Sequence, residues 1–261
     1  MAVEENSKII SSTKAKLEVH DVKLNFMLIK PKLSVIVPTY MEAENIRKFI
    51  ERVESCLNDE PFEIIIVDDN SPDGTANFAK EINRKYGNIK VLKRPGKLGL
   101  GSAVLDGFKI AKSDVLAVMD ADMQHPPELL PKMYAKIIEG YSLVIASRYV
   151  NGGGEEDWSL VRRIVSLGAT KLTHLIIPKT KIVKDPMSGF FMVRRKYIMN
   201  FKNCSNGFKI LLEFMVKNKY DSVIEVPYLF KPRCKGKSKL NIGEILRYVV
   251  LLVKLRLNMV K

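Results

Sequence analysis

The sequence predicts an α/β fold in which a mostly parallel sheet is covered by helices on both faces. Short apolar runs rich in β-branched residues predict the strands: LSVIV (33–37), EIIIV (63–67), IKVL (89–92), VLAVM (115–119) and SLVIA (142–146). Amphipathic segments of helical length separate these runs, at about 43–57, 73–86, 99–112 and 128–139. Strands that alternate with helices at this spacing form right-handed crossovers in a sheet buried on both faces.

Beyond the glycines at 152–154 the spacing of apolar residues changes, but no linker there separates a second domain. The pattern predicts, in order, a long helix at 158–177, a strand at 189–193, a helix at about 207–218, a strand near 222–226 and a basic helix from about 242 to 260. We therefore divide the chain into an N-terminal extension (1–30) without assigned elements, one α/β domain (31–240) and a basic amphipathic helix (241–261).

The net charge is the first indication of a partner. Of the 261 residues, 46% are apolar and 28% are charged, an ordinary globular composition that argues against disorder. The 43 Lys and Arg exceed the 29 Asp and Glu, which gives a net charge of +14. Between 232 and 261 eight basic residues accompany a single acid, Glu244, so half of the excess lies in that tail. Such a surface suits a polyanion: nucleic acid, anionic lipid headgroups or phosphorylated substrates.

Cysteine usage indicates a reducing compartment, and hydropathy predicts neither a signal peptide nor a membrane-spanning segment. The three cysteines (Cys56, Cys204 and Cys234) lie far apart without metal-binding spacing, so neither a disulfide framework nor a zinc site is expected. The first residues, MAVEENSKII, lack the apolar core of a signal peptide. No uncharged apolar run approaches the ~20 residues that span a bilayer. The sequence therefore predicts a protein on the cytoplasmic side of membranes.

Polar residues follow the predicted strands at the edge of the sheet where ligands bind in open α/β folds. They occur in four segments: PTYME (38–42), DDNSPDGT (68–75), DADMQHPP (120–127) and SRY (147–149). Carboxylates thereby collect at one edge, which is electrostatically unfavourable unless cations offset them. We expect the functional site at this edge.

Asp120 and Asp122 form the sharpest local pattern. Two carboxylates at i and i+2 that follow an apolar strand can converge on one hard divalent cation, and Gln124 adds a neutral oxygen two residues later. Mg²⁺ and Mn²⁺ prefer such ligands and keep positions open for substrate phosphates. The sequence has neither a Walker loop nor GxGxxG, so nucleoside-triphosphate and dinucleotide sites lack their signatures.

Several segments together resemble a known family. They are PTYMEAENI (38–46), VDDNSPDGT (67–75), RPGKLGLGSAVLDGF (94–108), MDADMQHPPE (119–128), SRYVNGG (147–153) and DPMSGF (185–190). With them the chain resembles the inverting family 2 glycosyltransferases of the GT-A fold, and among these the dolichyl-phosphate (polyprenyl-phosphate) mannose synthases, from about residue 31 to 240. Polyprenyl-phosphate glucosyltransferases share the VDD and DAD elements.

The resemblance implies a set of site residues. For the donor nucleoside it implies Pro38, Tyr40, Glu42, Val67 and Asp69. For the diphosphate it implies Ala121, Asp122 and Gln124, with Mg²⁺ or Mn²⁺ held by Asp120, Asp122 and Gln124. Later donor contacts fall on Lys209, Arg233 and Lys239. The acceptor phosphate falls to Arg148, Arg162 and Ser166, and the catalytic residues would be Asp122, Arg148 and Arg162.

The implied acceptor is consistent with the chemistry of these residues. Arg162 and Ser166 are i and i+4, hence on one helix face, and both donate to phosphate oxygens. A lipid monophosphate has a second pKa near ~6, so its oxygen is largely ionised at neutral pH and needs no general base. The implied reaction is attack of that oxygen on the anomeric carbon, with inverted configuration in the product.

Two amphipathic segments are candidates for meeting the lipid at a membrane surface. In the terminal helix a narrow polar stripe (Arg247, Lys254, Asn258 and Lys261) opposes an apolar face, as in helices that lie in the interface. The 158–177 segment has a similar stripe, for which core packing is an equal alternative. Some family members carry transmembrane helices after this domain; for this chain we expect either a separate small membrane subunit or peripheral binding.

Three hypotheses for function follow. The first is a metal-dependent transferase that moves mannose from GDP-mannose to polyprenyl (dolichyl) phosphate at the cytoplasmic face of a membrane. The second is the corresponding UDP-glucose enzyme, since the sequence pattern does not distinguish a guanine site from a uracil site. The third is a non-catalytic basic protein that binds membranes or nucleic acid, which predicts decay of the acidic cluster. Because that cluster is intact and few aromatic residues accompany the basic tail, we favour an enzyme without a nucleic-acid partner.

Overall fold

The computed structural model describes residues 30–58, 60–198, 201, 209–232 and 242–258. The predicted N-terminal extension lies outside these residues apart from Lys30. Arg233 and Lys239, two of the implied donor contacts, also lie outside them.

The described elements follow the predicted order closely. The strands are β1 (Leu33–Thr39), β2 (Phe62–Asp68), β3 (Ile89–Lys93), β4 (Val115–Val118), β5 (Leu143–Ser147), β6 (Gly154–Glu155), β7 (Phe191–Arg194), β8 (Val223–Pro227) and β9 (Leu229–Phe230). The α-helices are α1 (Ala43–Cys56), α2 (Thr75–Tyr86), α3 (Leu100–Ile110), α4 (Leu130–Ile138), α5 (Leu160–Ile176), α6 (Ile210–Lys217) and α7 (Ile242–Asn258). Short 3₁₀ turns lie at Pro127–Leu129, Pro178–Ile182 and Arg195–Tyr197.

Seven strands form one sheet in the order β3-β2-β1-β4-β7-β5-β8. The pairs β1–β2, β1–β4, β2–β3 and β5–β8 are parallel, whereas β7 is antiparallel to both β4 and β5. Because β7 reverses the direction twice, β4 and β5 point the same way. The prediction of a mostly parallel α/β sheet is confirmed; the reversed strand and the small β6–β9 pair were not predicted.

Both faces of the sheet are buried, as near-continuous apolar strands require. All seven residues of β2 are buried. One face packs against Ile46, Phe49 and Ile50 of α1, and the other against Val104 of α3 and Phe214 of α6.

The helices α5 and α7 pack against each other beside the sheet. The Tyr248 hydroxyl of α7 donates to the Ala169 carbonyl of α5, and Leu252 and Leu255 join a third apolar cluster with Leu212 of α6. Other apolar side chains of the two helices are exposed: Leu160, Val161, Ile164 and Leu175 on α5, and Leu246, Val250 and Leu257 on α7. Within the described residues, no helix is long and apolar enough to cross a bilayer.

Glu54 on α1 leads to a prediction about stability. Its burial raises the pKa of the carboxyl to about 7, and Asn88 and Lys85 oppose this only partly. The folded state therefore retains a proton that the unfolded state releases, so this group destabilises the protein as the pH rises from about 4.5 to 7. We expect Glu54→Gln to raise the free energy of unfolding at pH 8 by up to about 3 kcal/mol, and by much less at pH 5.

The measurement is urea unfolding followed by circular dichroism at the two pH values. Glu51→Gln is the matched control, because Glu51 is exposed on the same helix. An equal gain at pH 5 and pH 8 would show that the effect comes from helix propensity and not from the buried charge.

Candidate active site

The carboxyl ends of β1, β2, β4 and β5 lie at one edge of the sheet, because these four strands run in the same direction. Register pairs Pro38 with Val67 and Thr39 with Asp68 at the ends of β1 and β2. The residues that follow the four strands therefore share one edge, as the sequence predicts.

Backbone strain is concentrated at this edge. Among the described residues four non-glycine residues have positive φ: Met41 (62°), Asn70 (57°), Met123 (67°) and Asp157 (56°). The first three follow the ends of β1, β2 and β4 within five residues, and the fourth precedes Trp158. A left-handed conformation is costly for residues with a Cβ and recurs where loops are shaped for a ligand.

Asp68, the first carboxylate after β2, has a structural role. Its side chain is fully buried and accepts hydrogen bonds from the Thr39 hydroxyl (3.1 Å) and the Ser71 amide (2.9 Å). It thereby fixes the loop after β2 to the end of β1.

Asp69, an implied nucleoside contact, is bound to a loop from another strand. The Arg94 Nη1 and the Asp69 Oδ1 lie 2.5 Å apart in a buried ion pair, and the Gly99 amide donates to Asp69 Oδ2 (2.9 Å). This pair fixes the 95–99 loop, in which Lys97 Nζ lies 4.0 Å from the ring centroid of Tyr40. Arg94 and Lys97 were not among the site residues implied by the sequence.

The other implied nucleoside residues lie near the ends of β1 and β2 and at the start of α1. Val67 is fully buried in the core, one residue before the end of β2. Pro38 is half-buried at the end of β1. Glu42 lies at the start of α1, where its carboxylate accepts from the Asn45 side chain (2.7 Å).

Asp120 and Asp122 follow β4 in a tight loop. The Asp120 side chain is 38% exposed, whereas Asp122 and Ala121 are buried. The backbone amide of Gln124 donates to Asp122 Oδ1 (3.1 Å), and its side-chain Nε2 donates to the Lys231 carbonyl (3.1 Å). Thus the side-chain nitrogen of Gln124 holds the strand-end loop against the 231–232 segment.

Carboxylate and amide oxygens are the hard donors that a divalent cation such as Mg²⁺ or Mn²⁺ prefers. Across the part of the chain that the structure describes, no three His, Cys, Asp or Glu side chains are grouped to hold a metal. The metal ligands implied by the resemblance, Asp120, Asp122 and Gln124, include only two carboxylates. This short set leaves positions for water and phosphate oxygens, as is usual for Mg²⁺ and Mn²⁺.

The buried side chain of His125 supports the loop that carries Asp120. Its ring is buried, with Phe190, Tyr228 and Phe230 at centroid distances of 5.4 to 6.0 Å. The Asp120 amide donates to His125 Nδ1 (3.1 Å), which uses the lone pair of that nitrogen. His125 is thereby a structural support for Asp120.

Arg148, after β5, forms a buried pair with Asp185. Its Nε and Nη2 each donate to one carboxylate oxygen at 2.8 Å, and its backbone amide donates to Oδ2 (3.2 Å). Burial alone would lower the pKa of Arg148, but the charge and hydrogen bonds of Asp185 outweigh it, and the pKa lies above its ordinary value. Arg148 is therefore a permanent cation.

Of the implied acceptor residues, Arg148 and Arg162 meet at Trp158, and Ser166 is linked to Arg148 through Tyr149. The guanidinium carbons of Arg162 and Arg148 lie 4.1 Å and 5.6 Å from its ring centroid. Ser166 and Tyr149 share a hydrogen bond of 2.7 Å between their hydroxyl groups. The family resemblance implied that Arg148, Arg162 and Ser166 act together, but it did not include Trp158 or Tyr149.

Among the later donor contacts implied by the resemblance, Lys209 lies within the described residues. It lies half-buried at the start of α6, where its carbonyl accepts from the Glu213 amide (3.1 Å).

Solved structures share the fold of this chain. The chain superimposes with a TM-score of 0.64 on glucosyl-3-phosphoglycerate synthase from Mycobacterium tuberculosis in complex with Mn²⁺ and UDP, at 18% identity over 92% of this chain and 83% of that chain. Mannosyl-3-phosphoglycerate synthase from Rubrobacter xylanophilus gives 0.59, at 20% identity over 91% and 77%. At these identities the likeness concerns the fold alone, and it is that of GT-A glycosyltransferases.

The family follows from the sequence. The profile of glycosyl transferase family 2 matches residues 34–201, and the chain belongs to this family of glycosyltransferases. A dolichol-phosphate mannosyltransferase of Pyrococcus furiosus is 45% identical over 85% of this chain, which spans 64% of that protein's length. The dolichol-phosphate mannosyltransferase of Saccharomyces cerevisiae is 38% identical, over 83% of this chain and 84% of its own.

Proposed function

We propose that the protein transfers mannose from GDP-mannose to a polyprenyl (dolichyl) phosphate, with a divalent cation and with inversion at the anomeric carbon. The observation that carries the proposal is the pair of arginines on Trp158 at the same edge of the sheet as Asp120 and Asp122. Such an arrangement provides one place for an acceptor phosphate and another for a donor diphosphate. The names of the relatives supply the sugar and the lipid.

The donor would lie across the ends of β1, β2 and β4. Tyr40, Asp69 and Lys97 would line the nucleoside part, and Asp120, Asp122 and Gln124 would hold the cation, Mg²⁺ or Mn²⁺. When bound, the cation supplies positive charge that stabilises the departing nucleoside diphosphate. The buried Asp122 and the loop held by His125 keep these ligands in place before the substrate arrives.

The acceptor would be aligned by Arg148, Arg162 and Ser166. A phosphate monoester is already largely ionised at neutral pH, so the protein has to orient its oxygen and does not have to remove a proton. Arg148 and Arg162 donate charge-assisted hydrogen bonds to non-attacking oxygens, which leaves one oxygen directed at the anomeric carbon. His125 is not needed as a base, in agreement with its use of Nδ1 to support Asp120.

The lipid chain would enter from a membrane surface in contact with α5 and α7. Both helices expose apolar side chains, and α5 also carries the implied acceptor residues Arg162 and Ser166. Exposed cations on the same helices include Arg163, Lys171, Arg247, Lys254 and Arg256. Together with the net charge of +14, they support peripheral binding to anionic lipids at a cytoplasmic face, alone or with a small membrane subunit.

A charged side chain among the exposed apolar residues of α5 tests the membrane proposal. Leu175 on α5 is 75% exposed, and we expect Leu175→Asp to lower partitioning onto vesicles about tenfold or more, because burial of one leucine contributes roughly 1.5–3 kcal/mol. The measurement is flotation with vesicles of phosphatidylcholine and phosphatidylserine. Ile138→Asp is the control, since Ile138 is 62% exposed on α4. Equal loss in both variants would contradict docking through α5.

The transfer assay decides between donors. Purified protein is incubated with polyprenyl phosphate in detergent, Mg²⁺ or Mn²⁺, and radiolabelled GDP-mannose or UDP-glucose in parallel. Label that moves from GDP-mannose into an organic-soluble, acid-labile product supports the proposal. Transfer from UDP-glucose alone would change the donor while keeping the site. No transfer from either donor, with membranes also supplied, would favour a missing subunit or a non-catalytic binding protein.

A further inference from the structure

The 185–190 segment (Asp185 to Phe190) contacts both halves of the candidate site. At its first residue, Asp185 pairs with Arg148 of the acceptor group. Near its other end, Gly189 lies close to the loop after β4 that carries Asp120 and Asp122. A Cβ added to Gly189 would be 3.1 Å from His125 Cε1 and 3.5 Å from Asp120 Oδ2. Five residues of backbone therefore connect the arginine to the loop that carries Asp120.

Glu225 of β8 holds the start of this segment. Its Oε1 accepts from the Asp185 amide (2.9 Å) and its Oε2 from the Lys184 amide (2.7 Å). The Ser188 amide donates to the Asp185 carbonyl (3.3 Å) and closes the turn. The backbone of the segment is thus fixed from the sheet, independently of any contact with substrate.

The pairing geometry determines the direction of the Arg148 guanidinium. Asp185 is fully buried and accepts from Nε and Nη2, so the plane of the guanidinium is defined by two parallel hydrogen bonds. A guanidinium has five N–H donors, and three are not used by this carboxylate. They lie on the remaining edges, where a planar cation binds phosphate oxygens.

We propose that Asp185 is a positioning residue that orients Arg148 toward the acceptor phosphate, and that Glu225 fixes the separation between Arg148 and Asp120 by holding the 185–190 segment. The inference rests on the proposed function for the identity of the acceptor. It adds to that function two carboxylates, Asp185 and Glu225, that would contact neither the donor nor the acceptor.

Trp158 provides a direct readout, because it is the sole tryptophan of the chain and contacts both arginines. Farnesyl phosphate is titrated into the full chain while Trp158 emission is recorded, and GDP-mannose binding is measured separately by calorimetry. We expect Asp185→Asn to raise the Kd of farnesyl phosphate about tenfold or more, as for a misaligned charge-assisted contact. The Kd of GDP-mannose should change less than about twofold, since its site is built by other strands.

Glu225 variants serve where Asp185→Asn fails to fold. Glu225→Ala removes both backbone acceptors, whereas Glu225→Gln keeps one, so the loss of farnesyl phosphate binding should be large for alanine and small for glutamine. Glu156→Gln, at an exposed carboxylate after β6, is the matched control and should bind like the wild type.

Two results would overturn the positioning role. One is unchanged binding of farnesyl phosphate in Asp185→Asn and Glu225→Ala; the other is an equal loss of both ligands together with a lower Tm. The proposed function is tested separately. If the wild-type protein binds farnesyl phosphate but transfers no mannose, the proposed function is contradicted. The positioning role would still be supported if Asp185→Asn weakened the binding.

Discussion

Asp122→Asn is expected to lower kcat for mannosyl transfer by about 10³-fold or more, because the proposed catalytic cation would lose the charge of one ligand. The substitution keeps the shape of the side chain, and Oδ1 can still accept from the Gln124 amide. The buried loop should therefore persist, so the loss of activity reports on the charge. Asp122 is only 4% exposed, which makes its carboxylate a poor candidate for a solvated surface role.

The matched control lies at the other end of the same strand. Asp114 precedes β4 and is exposed in an ion pair with Lys30, remote from the carboxyl edge, and Asp114→Asn should keep full activity. Calorimetric titration of Mn²⁺ with GDP present provides a readout apart from turnover, and it should show weaker binding in Asp122→Asn alone. Full activity in that variant would refute a role for Asp122 in holding the cation.

The order of elements is predictable because burial on both faces leaves a strong signal in the sequence. LSVIV and EIIIV are short, rich in β-branched residues and flanked by amphipathic helices, which predicts buried strands, and both segments lie within β1 and β2. The direction of β7 carried no such signal, since apolar alternation is the same for parallel and antiparallel strands. The β6–β9 pair spans two residues on each side, which is too short for any periodicity.

The edge that carries the site was predictable for a different reason, since parallel strands bring their carboxyl ends together. What escaped prediction is the set of partners that fix the site residues. Asp69 is paired with Arg94, 25 residues away, and Arg148 with Asp185, 37 residues away. Such pairs depend on loops that meet only after folding, and no local spacing indicates them. Trp158 begins the segment predicted as a long helix (158–177), and its position there did not indicate that its ring contacts two arginines.

Gly153, the second glycine after SRYVN, leads to the second large effect. A Cβ at Gly153 would lie 2.6 Å from the Ser147 carbonyl oxygen and 2.9 Å from the Arg148 carbonyl oxygen. Both are backbone atoms at the end of β5, so neither can rotate away as a side chain would. Gly153→Ala must therefore displace the residue that carries the buried guanidinium, or its own turn.

We expect Gly153→Ala to lower kcat/KM for the polyprenyl phosphate about 10²-fold, the effect of a shift near 1 Å in a positioning group. We also expect it to destabilise the fold by roughly 1–3 kcal/mol through overpacking. Steady-state kinetics with each substrate varied in turn should place the loss on the acceptor, with KM for GDP-mannose little changed. Urea unfolding provides the stability.

Gly168→Ala is the control for this substitution. Gly168 lies in α5, and an added Cβ there would meet no atom within 4 Å. Because alanine favours a helix interior over glycine by roughly 0.8–1.0 kcal/mol, this variant should be active and slightly more stable. If Gly153→Ala matched it in activity and stability, the end of β5 would have room to move, and a fixed Arg148 could not be the basis of acceptor binding.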